Sequence, residues 1–251
     1  MQHFGVILPN YGRGASVEAI RRTAELAEEL GFASVWATEH VLVGPEAAEQ
    51  YGTVYEPFAT LTWIAGFTSR IERGTSSVVV PLHNPAIVAK QAATLTALTG
   101  RKLRLGIGAG WYEDEFRFLD MPFAGRGRRM DEAVRLMRAL WAGETSFAGE
   151  QWSFEDVTFA PLPPELPEIW VGGVGAPSIR RIEKLGDATW HPSSNVDLDF
   201  VREVREQHPE IRLVPRTTPP LVEQFLDLGA DGAIVMFEDE QSMRSFAQSY
   251  L

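Results

Sequence analysis

Residues able to do chemistry cluster where apolar runs end. Val35-Trp36-Ala37 is built for burial and then turns polar as Thr38-Glu39-His40. Histidine changes charge near neutral pH and a carboxylate can exchange or orient protons, so Glu39 and His40 are candidate catalytic residues. The alternative is a solvated strand end. Consecutive strand residues point to opposite faces, which predicts that the two do not hydrogen-bond to each other as a dyad. A second run, Gly74-Thr75-Ser76-Ser77-Val78-Val79-Val80-Pro81, places the hydroxyls of Ser76 and Ser77 in a segment otherwise suited to burial. Buried hydroxyls require partners, either neighbouring backbone or a polar ligand.

Two glycine-rich strand ends follow. Leu105-Gly106-Ile107-Gly108-Ala109-Gly110-Trp111 lets backbone approach a flat ligand closely, with Trp111 either stacking on a ring or packing. It is not a dinucleotide fingerprint, because Trp111 occupies the third glycine's place, and it lacks the lysine and hydroxyl of a phosphate-binding P-loop. Ile169-Trp170-Val171 passes through Gly172, Gly173, Val174 and Gly175 into a helical pattern opening with Ala176-Pro177. Free amides there suit a phosphate, and a tight turn is the alternative. Residues 108–111 and 172–175 are therefore candidate cofactor contacts, together with Ser76 and Ser77.

Composition narrows the chemistry. The chain has no cysteine, which excludes disulfides, thiolate metal sites and a cysteine nucleophile. Its five histidines lack metal-motif spacing, and Glu113-Asp114-Glu115 lacks the pattern of a calcium loop, so no metal is expected. Those acids read as favouring the start of a short helix. A formal charge of -11 disfavours nucleic acid and anionic membranes and favours a small-molecule substrate. An anionic cofactor then needs a local basic patch, and Arg126, Arg128 and Arg129 form the densest cluster. The first residues lack a signal-peptide pattern, and no apolar run reaches membrane-span length, so a cytoplasmic location is expected.

These residues need a scaffold that brings strand ends together. With 251 residues and 45% hydrophobic content, the chain matches one barrel domain of about 250 residues, spanning 1–251. Short aliphatic runs alternate with amphipathic stretches about eight times, the pattern of βα units. Strands are predicted at Phe4–Leu8, Ser34–Ala37, Thr75–Val80, Leu103–Ile107, Glu168–Gly172, Ala188–His191, Arg212–Pro215 and Ala233–Phe237. Ser16 and Gly31 bracket the first helix as its caps. Glu39 to Glu56, a long βα excursion, is the predicted lid, and residues 145–154 the predicted hairpin insertion. In a (β/α)8 TIM barrel, the candidate residues all reach the same rim.

Several segments together resemble the luciferase-like family of flavin- and deazaflavin-dependent oxidoreductases. They are Phe32 to His40, Gly74 to Pro81 with His83-Asn84-Pro85, Leu105 to Trp111 with Glu115-Phe116, Trp170 to Gly173, and Gly186 to Pro192. The resemblance implies a (β/α)8 barrel, a homodimer, a proton-handling role for His40, a cis peptide at Ser76–Ser77 and cofactor phosphate near Gly172 and Gly173. Residues 108–141 resemble the coenzyme F420 subgroup, which implies hydride transfer between the deazaflavin and a small organic substrate. The alternatives are an FMN-dependent monooxygenase supplied by a separate reductase, and a non-catalytic cofactor-binding protein. Relatives that oxidise sugar phosphates carry an acid where this chain has Trp111, a departure that argues against that substrate.

Overall fold

A computed structural model describes residues 2–251. The chain begins with β1 (His3–Ile7), α1 (Val17–Leu30) and β2 (Ser34–Ala37), then α2 (Ala48–Tyr51) and α3 (Pro57–Ile64). The third strand is split into β3 (Glu72–Thr75) and β4 (Val78–Val79), followed by α4 (Pro85–Thr99) and β5 (Leu103–Gly108). After α5 (Glu113–Phe118) and α6 (Arg126–Trp141) come the short β6 (Phe147–Ala148) and β7 (Ser153–Phe154). Then β8 (Glu168–Gly172), α7 (Ala176–Leu185), β9 (Thr189–His191) and α8 (Leu198–Gln207) follow. The chain finishes with β10 (Arg216–Thr217), α9 (Val222–Asp227), β11 (Gly232–Val235) and α10 (Glu240–Tyr250).

The strands pair in parallel in the order β10-β11-β1-β2-β3-β5-β8-β9, with β4 continuing β3 against β5. Single parallel bridges, Trp190 to Leu213 and Ser193 to Arg216, span the remaining seam. The eight-stranded TIM barrel predicted from the sequence is thus the observed fold. The lid excursion is present as the loop carrying α2, and β6 and β7 form the antiparallel hairpin. Ser16 caps α1 by accepting from the Ala19 amide, and Gly31 ends it with a φ of 89°. No helix among the described residues is long and apolar enough to cross a membrane.

Two predicted strands differ. Thr75–Val80 is interrupted at Ser76 and Ser77 and resumes as β4, where the Val79 amide donates to the Glu39 carboxylate at 2.6 Å. The Ser76–Ser77 peptide at the break is cis, as the family resemblance implies. The strand expected at Arg212–Pro215 enters the regular ladder only at Arg216. Pro215 has no N–H to donate, and the Leu213 amide is taken by the Asp231 side chain at 2.8 Å.

The barrel interior is layered. At its N-terminal end, Glu168 pairs with Arg212 at 3.0 Å and with Arg104 at 3.7 Å, and Arg104 also meets Glu72. Above this ionic floor lie Trp36 and Trp170, fully buried with ring centroids 4.6 Å apart, packed with Ile7, Val214 and Ile234. Gly74 makes the Trp36 position available: a Cβ there would lie 2.5 Å from the indole. Truncating either tryptophan would cost on the order of 3–5 kcal/mol. The outward-facing residues Val35, Leu105, Ile107, Ile169 and Val171 bury against the surrounding helices, which is the other half of the strand alternation.

Two histidines sit neutral inside this interior. Burial, reinforced by Arg104, Arg212 and His191, lowers the His3 pKa to about 3. Burial likewise lowers His191 to about 4, despite its bond to the Val214 carbonyl. In the unfolded chain both would titrate near 6.5. Their contribution to stability is therefore complete above that value and declines as pH falls toward the folded values. Urea unfolding between about pH 7 and about pH 5 should show stability dropping by up to ~1.4 kcal/mol per pH unit per histidine once below the unfolded value. His3→Gln should remove one of the two slopes, and an unchanged slope would contradict this assignment.

Candidate active site

Glu39 and His40 follow β2, Ser76 and Ser77 follow β3, Gly108 ends β5, and Gly172 ends β8. Parallel pairing puts all of them at the C-terminal mouth of the barrel, where barrel enzymes gather their catalytic groups.

Glu39 and His40 each find a different partner. The His40 Nδ1 lies 2.9 Å from Glu115 Oε2, and both side chains are nearly buried. The other Glu115 oxygen accepts the amides of Val41 at 2.6 Å and Leu42 at 3.3 Å. Burial pushes the Glu115 pKa up, but these donors outweigh it and hold the group below the usual carboxylate range. Glu115 holds His40 through Nδ1, and His40 Nε2 has no partner among the described residues. The Tyr51 ring lies 4.2 Å from His40, and Trp111 meets it edge-on at 5.9 Å. Glu39 has both oxygens committed, one to the Val79 amide and one to His83 Nε2 at 2.9 Å. Burial lowers the His83 pKa, but the Glu39 carboxylate outweighs it and raises the group overall.

On the other side of the mouth, the Ser76 hydroxyl reaches His191 Nε2 at 2.8 Å. His191 Nδ1 lies 2.6 Å from the Val214 carbonyl and must donate there, so Nε2 accepts the serine proton. The Ser76 carbonyl accepts from Arg216 Nη1 at 3.1 Å and from the Thr38 hydroxyl at 3.3 Å. Arg216 Nη2 also bonds the Tyr11 hydroxyl, and Tyr11 stacks on Tyr51 at 5.8 Å. Tyr11 also lines a cleft of about 570 Å³ between α1 and the turn from β11 to α10.

The third side is backbone. A Cβ at Gly172 would sit 3.0 Å from Ser77 Oγ and 3.1 Å from the Ile107 carbonyl, so this face stays free of side chains. Gly173 adopts a φ of 110°, and the loop enters α7, whose N-cap Gly175 offers no side-chain cap. The Val174 and Gly175 amides have no acceptor among the described residues. Arg126 donates to the Gly110 carbonyl at 3.0 Å, near this loop's neighbour α6. Arg129 is not available to a ligand, because it is buried and donates to the carbonyls of Ala124 and Pro122.

Sequence reasoning missed Glu115, His83, His191, Tyr11, Tyr51 and Arg216 as parts of this site. The triplet at 113–115 does open α5, but its third member turns inward to His40 rather than serving only the helix terminus. Trp111, an aromatic at a strand end, is 64% exposed and therefore does not serve as core packing. Among the described residues, no group of His, Asp and Glu is placed to hold a metal. Because Glu115 is the acceptor for the Val41 and Leu42 amides, Glu115→Ala should accelerate hydrogen exchange at those two amides by at least about tenfold. The amides of α6 should be unaffected, and unchanged exchange at Val41 and Leu42 would contradict the anchoring role.

Comparison with known proteins agrees with this geometry. An F420-dependent glucose-6-phosphate dehydrogenase of Kineococcus radiotolerans is 33% identical over 165 residues, covering 64% of this chain and 48% of that enzyme. The oxygenase component of a flavin-dependent trigonelline monooxygenase of Acinetobacter baylyi is 29% identical over 151 residues, covering 59% of this chain and 40% of that protein. A Mycobacterium tuberculosis relative that is 28% identical over 188 residues is spanned over 65% of its length, and another, 28% identical over 218 residues, over 74%. The structure of an F420-dependent secondary alcohol dehydrogenase in complex with an F420–acetone adduct superposes with a TM-score of 0.78, over 98% of this chain and 97% of that one. At 15% identity that likeness shows the fold alone. Residues 2–211 match the luciferase-like monooxygenase family, and the chain belongs to it.

Proposed function

We propose that this protein is an oxidoreductase that binds coenzyme F420 and transfers a hydride between the deazaflavin and a small organic substrate. The observation that carries this reading is the orientation of His40, whose Nδ1 is held by buried Glu115 while Nε2 is left free at the barrel mouth. The residues present suit such a cofactor. A planar ring fits the backbone face of Gly108, Ala109, Gly110, Gly172 and Gly173 beside Ser76 and Ser77. An anionic tail fits the uncapped start of α7, where the Val174 and Gly175 amides are free and helix dipoles favour negative charge. When bound, the deazaflavin supplies a carbon that accepts or donates a hydride, moving electrons in pairs.

Each chain residue then has a defined task. His40 Nε2 exchanges the proton that accompanies hydride movement, and Glu115 stabilises the imidazolium that forms. Glu39 positions rather than exchanges protons, because Val79 and His83 occupy both its oxygens. Trp111, Tyr51 and Tyr11 line the mouth with aromatic surface that excludes water and favours an uncharged substrate. Exposed apolar residues on the outer helices, Trp63 on α3 and Ile87 on α4, support a homodimer as part of the same proposal.

A second reading is an FMN-dependent monooxygenase fed by a separate reductase, favoured by the similarity to an oxygenase component. Side-by-side titration with coenzyme F420 and FMN separates the two. Coenzyme F420 should bind at least about tenfold more tightly, a difference of ~1.4 kcal/mol. Equal or tighter binding of FMN, with oxygen consumed on addition of reduced FMN, would overturn the F420 assignment. His40→Ala should retain binding but slow substrate-dependent hydride transfer by about 10²–10⁴-fold. Binding of the cofactor with hydride exchange unaffected by that substitution would support a non-catalytic binding protein instead.

A further inference from the structure

Arg216 differs in its place from the other arginines that lack a carboxylate partner: Arg73 and Arg129 are buried and donate to Thr68 and to the Ala124 and Pro122 carbonyls, whereas Arg216 is part-buried beside the Ser76 carbonyl at the barrel mouth. Arg212 and Arg104 pair with Glu168, and Arg181 pairs with Asp131. Arg216 instead contacts a carbonyl, Ser76, and a phenol, Tyr11, and has no carboxylate partner among the described residues. Its guanidinium carbon lies 5.3 Å from the Tyr11 ring centre. The neighbouring imidazole of His191 is held neutral by burial, so it adds no charge. The two carboxylates at the mouth are committed elsewhere, Glu115 to His40 and Glu39 to Val79 and His83. A part-buried guanidinium without a counter-ion is costly, and of its five N–H donors only two are used in these contacts. Unlike those of Arg73 and Arg129, its unused donors lie at the mouth, where a ligand can supply the negative charge.

We propose that Arg216 is an electrostatic positioning residue that favours the reduced, anionic state of the ring cofactor by pairing its free donors with the polar edge of the ring. This rests on the cofactor reading above. When bound, the ring would take up the hydride with both electrons of a substrate C–H bond, the substrate's proton would pass to His40, and Arg216 would compensate the negative charge that the reduced ring carries. No further reductant enters. The charge develops beside the Ser76 carbonyl, which Arg216 already holds, so the same guanidinium fixes the backbone and compensates the ring.

The test uses the purified full chain and measures dissociation constants for oxidised and dithionite-reduced coenzyme F420, and for FMN in both states, under anaerobic conditions. Arg216→Met and Arg216→Gln should each lower the preference for reduced over oxidised cofactor by about tenfold, equivalent to a fall of about 30 mV in the bound two-electron potential. Either neutral variant that melts cooperatively by circular dichroism suffices. Arg216→Lys, which keeps the charge, should retain most of the preference, and Tyr11→Phe, which removes a partner but no charge, should leave the ratio unaltered. If the neutral variants weaken both redox states by the same factor, Arg216 is only structural and the proposal is overturned. If the wild-type chain binds neither cofactor, the cofactor reading fails and takes this proposal with it.

Discussion

A parallel barrel uses its backbone hydrogen bonds in the strand ladders, so a polar side chain carried inside depends on other side chains and on carbonyls at strand ends for its partners. Trp170 Nε1 and Thr217 Oγ1 have none among the described residues. His191 shows the constraint most directly. Its imidazole accepts from Ser76 after β3 and donates to the carbonyl of Val214 just before β10, tying together segments from three sides of the interior. It does so as a neutral ring, because a charge there would be stranded above two buried tryptophans. Below them, the arginines and glutamates of the ionic floor neutralise one another's charge. The barrel is thus closed at the bottom by ion pairs, filled in the middle by indoles, and left polar at the top.

The mouth inherits its order from that arrangement. With Ser76 fixed from below by His191 and from the side by Arg216, the turn between β3 and β4 is defined by its neighbours. Glu39 then fixes the far side of that turn by accepting the Val79 amide. A buried carboxylate here satisfies backbone that a continuous strand would have satisfied by pairing, and its charge is matched by His83. Adjacent residues are therefore held differently: both Glu39 oxygens are taken by the scaffold, while His40 is held through Nδ1 alone.

Glu115 makes the same kind of connection for the lid. By accepting two amides of the loop after β2 and the His40 ring together, it couples the position of the lid to the orientation of the His40 imidazole. Farther along, the Tyr112 hydroxyl accepts the Gly44 amide at 2.9 Å and bonds Glu46, adding a second tether from the same segment. Opposite, the Asn10 side chain bridges Thr38 and Tyr55, joining both ends of the excursion to the loop after β1. The lid is held at its ends by hydrogen bonds, while Tyr51 in its middle lies over His40 and against Tyr11.

The alternation of apolar runs and amphipathic stretches was enough to determine eight βα units, the caps of α1, the hairpin, and the rim on which the candidate residues meet. These features depend on local periodicity and turn chemistry, which are written in neighbouring residues. The break in the third strand was reachable only through family resemblance, since Thr75 to Val80 has the composition of one continuous strand. Partners were another matter. His40 and Glu115 are 75 residues apart, Ser76 and His191 are 115 apart, and Ser76 and Arg216 are 140 apart. An acid at the start of a short helix reads as a helix-dipole group until the barrel closes and turns it toward a histidine on another loop. The composition of each strand end made chemistry legible there, but which group serves as scaffold and which is left free is set by closure of the ring, because only closure brings distant strand ends within hydrogen-bonding distance.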